Sequence, residues 1–120
     1  TILGTGSLRR LAEELGVDEV DARRFRMLFG VDGIGPHEED GWIGSRVLLG
    51  EAVVEPVGNV GRCAVTTQSP ETGRRDLPTL EALTRYRGRV ETTEPLPFGI
   101  VGRVAAPGRV RVGDPVAVER

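Results

Sequence analysis

Lysine is missing from this chain; all 16 of its basic residues are arginine. A lysine Schiff base is therefore impossible, which excludes the usual covalent attachment of pyridoxal phosphate. What remains is a stock of planar, permanently charged guanidinium forks suited to carboxylate and phosphate groups. Cysteine and histidine occur once each, as Cys63 and His37. This rules out an internal disulfide and a Cys/His zinc cluster of ordinary spacing, and makes a reducing compartment, the cytoplasm, the simplest setting. No apolar run approaches the roughly 20 residues that span a bilayer, and the opening Thr1-Ile2-Leu3-Gly4 has no basic-then-apolar leader, so no membrane partner is expected. With a net charge of −2 the chain offers no general attraction to nucleic acid either.

The 120 residues suffice for one hydrophobic core and not for two, so residues 1–120 are read as a single domain. The first residue is not methionine, which suggests that upstream residues were removed or lie outside this sequence. Ser7 opens a pattern in which Leu8, Leu11 and Leu15 share a helical face and Gly16 follows as a stop, predicting a short helix over 7–15. Residues 24–31 alternate arginine with Phe25, Met27 and Phe29, the period-two signal of a half-buried strand. His37-Glu38-Glu39-Asp40 reads as a solvated loop, because consecutive residues rarely converge on one ion, and Trp42 reads as core. Apolar runs at 46–49 and 52–57 flank Gly50-Glu51 and predict a tight hairpin, with a further strand over 62–67. Ser69-Pro70-Glu71-Thr72-Gly73 has the proline and glycine of a turn, and Asp76 and Pro78 precede a second short helix that Gly88 ends. Strands at 98–104, 109–112 and 115–118 complete the reading. Many short strands and two short helices give a mainly β chain, a barrel or rolled sheet.

Any chemistry should centre on Gly61-Arg62-Cys63-Ala64-Val65-Thr66-Thr67. From composition alone, a lone cysteine in an apolar strand reads as a small buried hydrophobe. Its neighbours point the other way: Arg62 lies beside it, and the turn after Thr66 and Thr67 leads to Arg74, Arg75 and a helix start near Asp76, surroundings that stabilise a thiolate. Adjacent residues of a flat strand face opposite sides, so Arg62 and Cys63 can share a site only at a strand end or bulge, which Gly61 makes easy. Arg24 and Arg26, two apart, are expected on one face of their strand and could clamp a phosphate together with Arg74 and Arg75; alternatively, each is a solvated surface charge.

The order Arg24-Phe25-Arg26, Glu39-Asp40-Gly41-Trp42-Ile43-Gly44, Arg62-Cys63-Ala64-Val65-Thr66-Thr67, Pro70-Glu71-Thr72-Gly73 and Arg75-Asp76 resembles the MOSC domain. The helix from Leu80 to Tyr86, Phe98-Gly99 and the closing Pro107-Gly108-Arg109-Val110-Arg111-Val112-Gly113-Asp114 are also similar, so the resemblance covers nearly the whole chain. It implies a MOSC-type β-barrel with two short helices. MOSC domains form the C-terminal part of molybdenum cofactor sulfurases and occur in the amidoxime reducing component of mitochondria and its bacterial relatives, which reduce N-hydroxylated compounds. By that resemblance the chain is the C-terminal part of a longer protein whose upstream β-barrel region closes the site. Cys63 would be the molybdenum ligand, and Arg24, Arg26, Arg62, Thr66, Thr67, Thr72, Gly73, Arg75 and Asp76 would bind the molybdenum cofactor, its molybdopterin and phosphate included. The implied activity is that of an oxidoreductase acting on N–O substrates with electrons from a donor protein. The alternatives are a sulfur carrier that passes a Cys63 persulfide from a desulfurase to the cofactor, and a non-catalytic MOSC-like binding module. One departure stands out: the reductases continue Arg-Phe-Arg with Pro-Asn, where this chain has Met27-Leu28.

Overall fold

Side-chain alternation in the first strand divides the interior. In β1 (Ile2–Gly4) the neighbours Ile2 and Leu3 face opposite sides of the pleat, and each joins a different core. The computed structural model describes residues 1–120 throughout. After β1 come α1 (Thr5–Leu15), a 3-10 turn (Ala22–Phe25), β2 (Phe29–Val31), a second 3-10 turn (Glu38–Trp42), β3 (Arg46–Leu49) and β4 (Ala52–Gly61). A third 3-10 turn (Ala64–Thr67), α2 (Thr79–Arg87), β5 (Pro97–Ala106) and β6 (Val116–Glu119) complete the chain. The strands form one sheet in the order β2-β1-β5-β4-β3-β6, in which only β1 and β2 run parallel. The fold is thus mainly sheet, curled into a half-barrel with two helices, and β2 and β6 remain its free edges.

Bulges bend this sheet. The long β4–β5 pair shifts register between Val53 and Val54, between Pro56 and Gly58, and between Asn59 and Gly61. Each bulge adds a residue to one strand and increases the local twist, and Pro56 sits where a missing N–H is tolerated. The shift opposite Asn59 and Gly61 falls at Phe98-Gly99, where Gly99 takes φ +88°. Residues two apart in a regular strand share a face; across this left-handed glycine they do not. Phe98 packs with Leu3, Leu11, Phe25 and Leu83 in the core under the helices, while Ile100 packs with Ile2, Trp42, Val47 and Val54 in the other.

Several expectations hold. The first helix ends at Gly16, which adopts φ +68° and donates its N–H to Ala12 and Glu13 carbonyls, as a left-handed cap should. The Gly50-Glu51 hairpin forms, and Trp42 is core. Others are corrected. Residues 24–31 are not one strand: Asp21 caps a 3-10 turn by accepting the Arg23 N–H, and Arg26 is left-handed at φ +51°, so Arg24 and Arg26 do not share a strand face. The apparent period of two arose because Phe25 points inward from a turn. Residues 62–67 are not a strand either, since β4 stops at Gly61 and the Thr66 and Thr67 hydroxyls donate back to the carbonyls of Cys63 and Ala64. Such local bonds let threonine compete with a sheet ladder. Residues 109–112 are irregular, and Arg109 is held by Glu51, whose N–H donates to the Arg109 carbonyl and whose carboxylate accepts the Arg109 N–H. The sequence at 37–40 is no solvated loop: Glu39 is fully buried and Asp40 is ion-paired with the buried Arg87.

Candidate functional site

Gly61 is the last residue of β4, and the segment after it is held by two arginines. The Arg62 N–H donates to the Leu96 carbonyl at 3.1 Å, which keeps the chain beside β5 for one residue more. Its side chain turns inward. Nε and Nη2 donate to the Phe98 carbonyl at 2.9 and 2.7 Å, Nη1 to the Phe25 carbonyl at 2.8 Å, and Nη2 also reaches Met27 Sδ at 3.0 Å. The guanidinium lies over the Phe25 ring, 5.1 Å from its centre, and forms no ion pair with a carboxylate. Burial pushes its pKa down to about 10, against the opposing pull of Cys63. Glycine is favoured beside it because Gly99 holds φ +88°, and a Cβ there would also crowd the Ile2 carbonyl at 3.2 Å.

Cys63 itself is extended, at φ −132° and ψ −175°, and exposed. Arg62 and Cys63 therefore point to opposite sides, as a pleat dictates, although they stand at a strand end. The Cys63 carbonyl accepts the Thr66 N–H and hydroxyl, which folds the chain at once into the 3-10 turn Ala64–Thr67. Thr66 is buried, and its carbonyl accepts the Thr79 hydroxyl at the start of α2. Beyond it the Gln68–Arg75 bridge closes a small hairpin, and the Ser69 hydroxyl accepts the N–H groups of Glu71 and Thr72. Gly73 takes φ +72° at its tip.

Arg24 makes the second fastening. Its Nη1 and Nη2 donate to both oxygens of Asp76 at 2.9 Å, and Nη1 also reaches the Gln68 carbonyl at 2.9 Å and that of Thr66 at 3.5 Å. The hydrogen bonds from Arg24 hold the Asp76 carboxyl below the usual carboxylate range. The Arg24 side chain is only 9% exposed, and its buried Nε has no partner.

The structure thus joins Arg24, Thr66 and Asp76 in one network and seats Arg62 behind Cys63. Thr67 and Arg75 line a shallow cavity of about 340 Å³ with Leu77, Pro78, Leu80 and Glu81, at the first turn of α2, whose N-cap position is Pro78 and has no side-chain cap. Arg26, Arg74 and Arg75 are exposed and their side chains make no ion pair or hydrogen bond. Thr72 and Gly73 sit on the exposed hairpin tip. Sequence reasoning missed the neighbouring polar buttress. The buried Arg87 donates to the Pro97 carbonyl and pairs with Asp40, which also accepts from Asn59. An arginine in the last turn of a short helix carries no signal that it points inward. Nowhere do three His, Cys, Asp or Glu side chains gather as a site built from protein ligands alone would require.

Comparison with known proteins agrees with this architecture. The YuaD protein of Bacillus subtilis superimposes with a TM-score of 0.74 over 98% of this chain and 61% of its own, at 24% identity, and shares the fold. The mouse mitochondrial amidoxime-reducing component 1 is 36% identical over 96% of this chain, and the human protein 34% over the same share. The rat mitochondrial amidoxime reducing component 2 is 35% identical over 82% of this chain. The chain spans about a third of these mammalian relatives, 35% of the first two and 30% of the third. The MOSC domain model matches residues 1–117, so the chain belongs to the MOSC domain family.

Proposed function

We propose that this domain binds the molybdenum cofactor and takes part in the reduction of N-hydroxylated compounds, with Cys63 as the protein's metal ligand. The observation that carries the reading is an exposed thiol on a braced loop, set among segments bearing the unpaired guanidinium groups of Arg26, Arg74 and Arg75. The residues fit the group chemically. Molybdenum favours soft sulfur donors, and a pterin phosphate needs fixed positive charge. With no cluster of three ligating side chains, one thiolate from the chain and the remaining donors from the cofactor is the arrangement this surface can offer.

In this reading Cys63 holds the metal, while Arg26, Arg75, Thr67, Thr72 and Gly73, with the uncapped first turn of α2, hold the phosphate and pterin. When bound, the molybdenum cofactor supplies two-electron oxygen-atom chemistry. The N–O bond of the substrate is cleaved, its oxygen leaves as water with protons from solvent, and the electron pair comes from a donor protein. The relatives named for amidoxime reduction support the substrate class. Because the chain spans only part of those relatives, the remainder of the polypeptide is expected to complete the site. No helix is long and apolar enough to cross a membrane.

Metal analysis of the full-length protein with and without Cys63→Ala tests the reading. Molybdenum should be lost in the variant while the melting temperature holds, because the exposed side chain packs against little. Equal metal content in both proteins removes the role. A Cys63 mass increased by one sulfur atom, in protein that carries no molybdenum, would assign it persulfide transfer instead.

A further inference from the structure

We propose that Arg24 and Arg62, the two least exposed guanidinium groups around Cys63, are positioning residues that brace its loop from both ends and do not themselves touch a ligand. The 3-10 turn Ala22–Phe25 is the common anchor. Arg62 enters it from the loop, donating to the Phe25 carbonyl, and also ties to Phe98 in β5. Arg24 leaves the same turn in the opposite sense and grips the Thr66 and Gln68 carbonyls and the Asp76 carboxylate. Cys63 lies between the two grips, one residue after the first and three before the second. The donors are committed: three Arg62 nitrogens meet two carbonyls and a thioether, and both terminal nitrogens of Arg24 meet oxygens.

The bulge at Gly99 completes the arrangement. By breaking the β4–β5 ladder it leaves the Phe98 carbonyl free to accept two guanidinium bonds. A lysine could not reproduce either grip, because an ammonium lacks the flat fork that reaches two carbonyls at once.

This inference rests on the reading of Cys63 as the reactive ligand, and the experiment separates the two. In the full-length protein, hydrogen exchange is followed by mass spectrometry on peptides covering residues 62–68 and, as an internal control, the β3–β4 hairpin. Arg62→Lys and Arg24→Lys should each speed exchange in 62–68 by about ten-fold or more while the hairpin stays at the wild-type rate. Molybdenum content should fall in step. Asp76→Asn, milder and exposed, should loosen residues 66–68 and leave 62–63 unchanged. Exchange that is unaltered, or that accelerates equally in the hairpin, overturns the bracing role, as does full molybdenum retention despite a loosened loop. Should the wild-type protein hold no molybdenum, the Cys63 reading fails, and the exchange comparison alone decides whether the arginines brace the loop.

Discussion

Removing the buried carboxylate of Glu39 should cost this domain more stability than its place in an acidic surface-like sequence suggests. Glu39 is 0% exposed. One oxygen accepts the Gly4 N–H at 2.6 Å and both accept the Ser7 hydroxyl at 2.9 Å, so it closes the first turn of α1 from outside the helix, where Gly4 offers no side-chain cap. Glu39→Ala strands two buried donors at about 1–3 kcal/mol each, and about 3 kcal/mol together is a reasonable central figure. Unfolding entropy of about 2.1 cal/mol/K per residue gives about 0.25 kcal/mol/K for 120 residues, so the melting temperature should fall by about 12 °C. Glu39→Gln keeps an acceptor for Gly4 and offers an N–H to Ser7, and should melt within about 4 °C of wild type near neutral pH. The sign of its pH dependence follows from burial, which raises the Glu39 pKa above 4.5 despite the hydrogen bonds. The folded state then holds the proton more tightly than the unfolded one, and stability present below 4.5 is lost as pH climbs through the folded value. Glu39→Gln should therefore gain on wild type from about pH 4 to about pH 7. Calorimetric melts across that range are the assay. A Glu39→Ala shift below about 4 °C, or a Gln difference flat with pH, refutes the reasoning.

His37 has the opposite sign. Burial, then Arg87 and Arg10, push its pKa down from 6.5 to about 3, so stability is complete above 6.5 and falls with acid as the unfolded chain takes a proton the folded one refuses. His37→Gln should flatten this acid slope by on the order of 1 kcal/mol at about pH 5, read from paired denaturant melts, and an unchanged slope would count against it. Leu83 is fully buried between α1, α2 and the sheet, and Leu83→Ala should lower stability by about 2–5 kcal/mol in urea titration. Arg87→Lys keeps the charge beside Asp40 but loses the fork that also reaches Pro97, at about 1–2 kcal/mol, whereas the exposed Arg74→Lys should stay within about 0.5 kcal/mol. Equal melting of these two arginine variants would contradict that distinction.

The features legible in the sequence were those governed by local rules. Gly16 stops α1 because only a residue tolerant of positive φ ends a helix so, and Gly50-Glu51 turns a hairpin for a related reason. Continuous apolar runs located β3 and most of β4. Where a tertiary contact overrode a local pattern, the reading failed. The alternation from Arg24 to Phe29 matched a strand, yet the Asp21 cap and the Arg24–Asp76 pair, 52 residues apart, favour a turn. Thr66 and Thr67 carry strong strand propensity, and hydroxyls bonding to their own segment turned them aside. Glu39 was invisible because nothing nearby announces burial; its partners are Gly4 and Ser7, more than 30 positions earlier. Cys63 does stand just past a strand end at Gly61, but Arg62 and Cys63 keep to opposite sides there, and the strand expected over 62–67 is replaced by a 3-10 turn. The division of labour among the arginines around Cys63 was not legible in the sequence.

That division follows from guanidinium chemistry. In sequence, Arg24, Arg26, Arg62, Arg74 and Arg75 are equivalent cations. In the fold, two turn inward and satisfy backbone carbonyls that a bulge and a 3-10 turn leave without ladder partners, work for which a fork with five donors is suited and an ammonium is not. Burying such a charge is unfavourable, and Arg62 shows it in a pKa driven down to about 10; under the bracing role proposed above, the loop gains rigidity in exchange. The other three project into solvent on segments next to that loop, where a charge without a partner loses nothing by waiting for an anion. On the proposed reading, a chain that draws all its positive charge from arginine builds the brace and the anion-facing rim of one site from the same residue type, and the degree of burial decides which task each performs.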